Sequence, residues 1–252
     1  MDPVAPLTGR PVPLLNRAAM AGNVPAVSAL LASLGTAPIP SRRRPYHTPA
    51  LVSAVQKGFV DVVKVLCEDE RVNVNVVDRV REVSVLHLAV QIGGQEVVRC
   101  LLRGNNIKVD VRCPSGGTPL CLAARKGNLA MVRLLLEGGA GVNLSGGLTQ
   151  CPGPSELSNG GGIRPSYTPL HFATIGGHLS VVRFLAEWEG VDINARDVEG
   201  YTPLDYALRR GHIKIARVLK GHGATDKKYK KRRQLRGYAV ALMGLGSCSR
   251  SV

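Results

Sequence analysis

The stretch "YTPLHFATIGGHLSVVRFLAEWEGVDINARDVEG" runs from Tyr167 to Gly200, and "YTPLDYALRRGHIKIARVLK" follows at once from Tyr201 to Lys220. The opening phrase thus returns after 34 residues with Asp205 in place of His171. One glycine per unit extends the register along the chain: Gly22, Gly58, Gly93, Gly127, Gly177 and Gly211, in steps of 34 to 36 residues apart from one step of 50. Seven positions before each glycine stand Leu15, Leu51, Leu86, Leu120, Leu170 and Leu204. Four before stand Ala18, Ala54, Ala89, Ala123, Ala173 and Ala207, and eight after stand Leu30, Leu66, Leu101, Leu135, Leu185 and Leu219. Between these constant apolar slots the position of His171 varies freely, as Asn16, Val52, His87, Cys121 and Asp205. A catalytic histidine does not tolerate such exchange, whereas a hydrogen-bonding position at a turn does.

Each slot has a physical task. Thr168 is placed to N-cap a helix, and Pro169 suits its first turn, where no N–H is needed. Leu170 and Ala173, three apart, share one helical face, and the small alanine lets a neighbouring helix approach. Gly177 is expected to end this helix at positive φ. Val181, Val182 and Leu185 then form the apolar stripe of a second helix. A polar stretch ending in Gly200 leads back to the next Thr-Pro. The predicted unit is turn, helix, turn, helix, and since one unit cannot bury its own stripe, stability must come from stacking on neighbours.

Four residues of the phrase, Thr-Pro-Leu-His, with the alanine two further on, resemble the hallmark of the ankyrin repeat. The clearest copies are 116–143, 167–200 and 201–224. Residues 83–102 keep Leu-His-x-Ala but carry Ser84-Val85 in place of Thr-Pro, 47–66 has one extra residue before its glycine, and 13–31 is a degenerate first unit. The resemblance spans residues 13–224 and implies an all-α ankyrin-repeat solenoid of six stacked helix-turn-helix units with β-hairpin-like loops. Residues 1–12, rich in proline, read as a disordered N-terminus. The Gly-, Ser- and Pro-rich stretch 144–166 reads as a flexible insert between the fourth and fifth units. Residues 225–252 read as a basic, disordered tail. Lys214, Arg217 and Lys220 on the last helix fit a terminal unit that meets water.

Composition narrows the class. Of 252 residues 44% are hydrophobic but only 4% aromatic, so the core is expected to be aliphatic. The formal net charge is +15, and residues 227–252 hold eight Lys/Arg and no acid. None of the six cysteines forms a C-x-x-C pair. No signal peptide or 18-residue apolar run is visible. These features suit a reduced intracellular protein, cytoplasmic or nuclear, monomeric and without a membrane span. His87, His171, His178 and His212 sit in repeat slots, and no carboxylate pair, nucleophile-base pair or metal-ligand spacing recurs, so neither enzyme chemistry nor a cofactor or metal is expected. The glycines of the insert lack the Gly-Lys-Ser/Thr of a phosphate loop. Cys67 reads as a core residue, and Cys113, Cys151 and Cys248 as loop or tail thiols.

The resemblance implies that a partner meets the hairpin tips and the ends of the first helices, on a concave side. The two slots before each glycine read Met20-Ala21, Gln56-Lys57, Gln91-Ile92, Arg125-Lys126, Ile175-Gly176 and Arg209-Arg210, with five basic residues and no acid. This stripe reads either as a face for an acidic protein segment or as a solvated surface. Arg112, Ser115, Arg196, Glu199 and Tyr201 in the hairpins would add contacts, with Tyr201 as anchor. In the tail, Lys227, Lys228, Lys230, Lys231, Arg232 and Arg233 resemble a nuclear-import signal, and the same charges could touch nucleic acid or an anionic surface. The reading is therefore a non-catalytic interaction scaffold, with a nuclear regulator as the alternative.

Overall fold

The structure is a computed structural model, and it describes residues 11–34, 50–78, 82–104, 106–147 and 166–225. The N-terminal residues up to 10, residues 35–49, residues 148–165 of the insert and the tail from 226, with Lys227, Lys228, Lys230, Lys231, Arg232 and Arg233, lie outside the described residues. The chain divides into two compact units, one ending at Pro114 and the other beginning at Ser115.

In the first unit α1 (Pro11–Met20) pairs with α2 (Val24–Ser33), α3 (Ala50–Lys57) with α4 (Val60–Glu68), and α5 (Val85–Ile92) with α6 (Gln95–Arg103). First helices pack on first helices and second on second, α1 on α3 on α5 and α2 on α4 on α6. The degenerate stretch at 13–31 therefore forms a helix pair like the others. A two-residue hairpin precedes α5, with β1 (Val77–Asp78) antiparallel to β2 (Val83–Ser84). In the second unit α7 (Pro119–Lys126), α9 (Pro169–Ile175) and α11 (Pro203–Arg209) stack in one layer. Behind them stack α8 (Leu129–Glu137), α10 (Leu179–Glu187) and α12 (Ile213–Gly221).

The helix starts follow the chemistry of their first residues. Thr118, Thr168 and Thr202 cap α7, α9 and α11, each accepting the N–H three residues on, with proline at the first helical position. Where Thr-Pro is missing, Ser84 does the same work for α5, its Oγ accepting the His87 N–H at 3.3 Å. All six spacing glycines have φ between +70° and +83°, the left-handed geometry expected of them. At some of them the missing side chain has a second use, because the residue before the next second helix packs over the glycine. A Cβ on Gly127 would stand 2.4 Å from the His178 ring, and one on Gly22 3.1 Å from Phe59, whereas nothing lies within 4 Å of a Cβ on Gly58 or Gly93.

The constant slots form the core. Leu51, Leu86, Leu120, Leu170 and Leu204 are buried, as are Ala54, Ala89, Ala123, Ala173 and Ala207 and the leucines eight after each glycine from Leu66 onward. The first pair differs: Ala19, Val27 and Leu31 are buried while Ala18 and Leu30 are half-exposed.

A second ladder joins successive hairpins. Asn75 donates to the Asn106 carbonyl at 2.8 Å and accepts the Lys108 N–H at 2.7 Å. Asn143 does the same to the Gly190 carbonyl and the Asp192 N–H, and Asn194 to the Gly223 carbonyl and the Thr225 N–H. Each follows a valine or isoleucine near the end of its unit, a recurrence that was visible in the sequence and not used. The ends of the insert are held as well. Gly146 and Tyr167 exchange backbone hydrogen bonds, Gly147 donates to the Ser115 carbonyl, and the hydroxyls of Ser145 and Ser166 meet at 2.7 Å.

Candidate functional site

The ends of the first helices lie side by side within each unit. In the second unit His178, which opens α10, bonds the Arg125 carbonyl near the end of α7 through Nε2 at 2.8 Å. His212 packs over Gly177 just past α9, where a Cβ would stand 3.1 Å from its ring.

In the first unit Gln56, Lys57, Ile92 and Arg112 are exposed and Gln91 is half-exposed. Gln56 reaches back to the hairpin, donating to the Asp78 carboxylate at 3.2 Å. In the second unit Lys126, Arg196, Glu199, Arg209 and Arg210 are exposed, and Arg125 and Tyr201 are half-exposed. Two residues named from the sequence are turned inward: Ile175 is 7% exposed and Ser115 4%. Ser115 spends its hydroxyl on the Gly147 carbonyl at 2.9 Å, holding the hairpin rather than offering a contact.

Around Tyr201 the structure builds more than a hairpin tip. Asp197 is buried and organises the loop: its Oδ1 accepts the N–H groups of Glu199 and Tyr201 at 3.0 and 2.8 Å, and its own N–H donates to the Tyr201 carbonyl. Its Oδ2 accepts the Tyr206 hydroxyl at 2.6 Å. Tyr206 meets Tyr201 at 5.9 Å and Tyr167 at 5.6 Å between ring centroids, and Tyr167 meets Phe172 edge-on at 5.4 Å. Burial, then the bond to Asp197, drives the Tyr206 phenol far above its usual range, so it remains a neutral donor. The Arg209 guanidinium caps this cluster, 4.8 Å from the Tyr201 ring and 5.7 Å from that of Tyr206. The sequence reading named Tyr201 and Arg209 separately and missed Tyr167, Asp197, Phe172 and Tyr206. One signal was available: six of the ten Phe, Trp and Tyr residues fall between 167 and 206.

The variable histidine slot has the role its variability implied. His171 Nε2 faces the Tyr201 carbonyl at 3.1 Å, so this nitrogen carries the proton. Nδ1 then accepts from the Thr168 N–H and hydroxyl. Asp205 repeats the inner half, its Oδ2 accepting the Thr202 N–H and hydroxyl at 2.9 and 3.0 Å. Being an acceptor only, it cannot reproduce the outward donation, and its Oδ1 is buried without a partner. Burial lowers the His171 pKa below its ordinary 6.5, against smaller opposing effects of Tyr201 and nearby acids. The folded chain therefore resists a proton that the unfolded chain accepts, so stability is full above about pH 6.5 and falls as the pH drops below it. Urea midpoints measured at pH 7.5 and 5.0 should fall with acidification, and by less in a His171→Gln variant.

Cys151 and Cys248 lie outside the described residues, and among those described Cys67 and Cys100 are not activated thiols. Burial, with help from Cys100 and Glu68, pushes the Cys67 thiol up to about 12, and burial raises Cys100 as well, so both stay protonated near neutrality. Cys113, expected as an accessible loop thiol, is instead 4% exposed. It belongs to a stretch that alternates outward and inward, with Arg112 out, Cys113 in and Ser115 in. Among the described residues there is no group of three His, Cys, Asp or Glu side chains able to hold a metal, and no helix long and apolar enough to cross a membrane.

A family model described as "Ankyrin repeats (3 copies)" matches residues 70–145 and 155–231. The chain belongs to the ankyrin-repeat family. Its fold is the all-α ankyrin-repeat solenoid, and ankyrin repeats as a class are protein-interaction modules, typically without enzymatic activity. Among curated proteins the chain is similar to the probable E3 ubiquitin-protein ligase XBOS33 of Oryza sativa subsp. japonica, 38% identical over 88 residues, 35% of this chain and 14% of that protein. It is also similar to the putative ankyrin repeat protein FPV031 of Fowlpox virus (strain NVSL), 27% identical over 59% of this chain and 39% of that one. The ankyrin-repeat chain thus spans well under half the length of these relatives. Among solved structures, the ankyrin repeat domain of Bcl-3 superposes with a TM-score of 0.70 and 25% identity, covering 84% of this chain and 86% of that one. An ankyrin repeat domain from Acinetobacter baumannii AYE superposes with a TM-score of 0.68 and 24% identity over 84% and 98%. In this ankyrin-repeat chain the residues that differ between units, and not the shared hallmark, are therefore the place to look for a specific function.

Proposed function

We propose that this chain is a non-catalytic intracellular scaffold that binds an acidic segment of a protein partner through its first-helix ends and hairpin tips. One observation carries the reading. The large hydrophobic residues exposed among the described ones are Met20, Val77, Ile92 and Val198. Met20 and Ile92 stand in the two slots before a spacing glycine, the slots that also hold Lys57, Arg125, Lys126, Arg209 and Arg210, and Val77 and Val198 stand in hairpins. Exposed apolar residues scattered at random need no explanation, but ones restricted to first-helix ends and hairpins support a contact role for those positions. The basic neighbours supply attraction for acidic groups and steer their approach.

The test uses a fluorescein-labelled 15-residue peptide rich in glutamate with two leucines, followed by anisotropy. Reversing Arg125 and Lys126 together to glutamate should weaken binding about tenfold, since each exposed charge contributes a few tenths to about 1 kcal/mol and reversal replaces attraction by repulsion. Affinity should also fall with added salt. Unchanged affinity in the double variant would remove the reading. A nuclear regulator, suggested by the basic run 227–236, takes its place if the chain instead binds DNA with a steep salt dependence that disappears on removing 227–252.

A further inference from the structure

We infer that Arg209, held over the rings of Tyr201 and Tyr206, is the specificity-determining residue of this face and takes one Asp or Glu carboxylate of the partner segment in a bidentate grip. This inference rests on the reading of the face as a site for an acidic segment and names the contact that selects it.

Three observations converge on Arg209. Its guanidinium lies 4.8 Å from the Tyr201 ring centre and 5.7 Å from that of Tyr206, so a long and otherwise mobile side chain is oriented before a partner arrives. The support beneath it is fixed. Asp197 holds the Tyr201 backbone at both N–H and carbonyl, and accepts the Tyr206 hydroxyl at 2.6 Å. A phenol that donates to a carboxylate is richer in ring electron density, which strengthens its attraction for a cation. Finally, Arg209 is exposed, and its guanidinium makes no hydrogen bond or ion pair with any described residue. With its N–H groups bonded to no described residue, the guanidinium keeps a planar fork of donors for a ligand, and that fork matches two carboxylate oxygens at once. Neighbouring Arg210 has the same charge and exposure without the rings, so of this pair Arg209 is the one that aromatic contact orients.

A lysine at this position keeps the charge but loses the fork and most of the ring contact, which separates orientation from net charge. With the glutamate-rich peptide as probe, Arg209→Lys should weaken binding about fivefold, while Arg217→Lys on the outer face of α12 should leave it unchanged. Tyr201→Leu, which keeps every backbone bond of the loop, should weaken binding similarly. Combining it with Arg209→Lys should cost little more than either change alone, because both remove the same oriented contact. Far-UV circular dichroism and urea midpoints close to those of the parent would show that all four variants fold. If Arg209→Lys binds as tightly as the parent while reversal of Arg125 and Lys126 still weakens binding, the inference about Arg209 is wrong and the acidic-segment reading stands. If the single changes simply add in the double variant, Arg209 and Tyr201 act separately and the inference also falls. Failure of the parent chain to bind the peptide overturns both.

Discussion

Replacing Gly146 by alanine should lower the stability of the second unit by about 3 kcal/mol, the upper range for steric overpacking. A Cβ there would stand 2.0 Å from the Gly116 carbonyl oxygen, 2.3 Å from its carbon and 2.7 Å from the Gly117 nitrogen. All three are backbone atoms, so no rotamer change can relieve the contact. Moving Gly146 away would break its paired hydrogen bonds with Tyr167 and the neighbouring bond from Gly147 to Ser115. Those bonds close the base of the insert and place Tyr167, whose ring carries Phe172 and Tyr206. Gly139 supplies the comparison: its φ is +88° but nothing lies within 4 Å of a Cβ. Alanine at 139 should cost only about 1 kcal/mol, the penalty of a left-handed backbone. Urea unfolding followed by far-UV circular dichroism measures both, and Gly146→Ala no worse than Gly139→Ala would contradict the close approach of the two loops.

Phe172→Ala should destabilise the second unit by about 3 to 5 kcal/mol, as expected for emptying a buried aromatic site. Phe172 is 2% exposed, the bulkiest of the fully enclosed side chains among the described residues, and its ring supports Tyr167 edge-on. Its loss also removes one of the rings that hold Tyr167, so the hydroxyl contact between Tyr167 and Tyr206 at 3.2 Å should loosen. Near-UV circular dichroism should therefore lose tyrosine signal before the urea transition. Leu88 and Leu122 occupy the same slot in earlier repeats, so Phe172→Leu should cost less than half as much. Equal losses for alanine and leucine would mean that the ring, and not the buried volume, holds this region.

The aliphatic core was legible because its signal is local and repeated. Leu170 and Ala173 share a face through the pitch of one helix, and six copies of the same spacing average out any irregular unit. The caps were legible for the same reason: Thr168 acts on a residue three positions away. Ser84 shows the limit, since a residue outside the hallmark performs the identical task once its hydroxyl points at the His87 N–H. The inward turn of Cys113 and of Ser115 could not be seen from composition, which marks both simply as loop residues. Their direction depends on the path of the hairpin over the helices it packs on.

The candidate site divides along the same line. Its basic residues could be read from their slots, because exposure at a first-helix end follows from helical periodicity. Arg209 over Tyr201 could not, nor could Tyr206 bonded to Asp197, Asn143 reaching Gly190 or His178 closing over Gly127. The asparagine and histidine contacts join residues about 50 positions apart, which only stacking brings together, and the ring contacts depend on how the loop from Asp197 to Tyr201 folds. The amino-acid sequence by itself determined the repeat, its helices, its caps and its apolar slots, because these depend on interactions within a turn or two of chain. The tertiary structure alone decided which of the differing residues meet, because repeat-to-repeat packing selects those neighbours and leaves no periodic trace in the sequence.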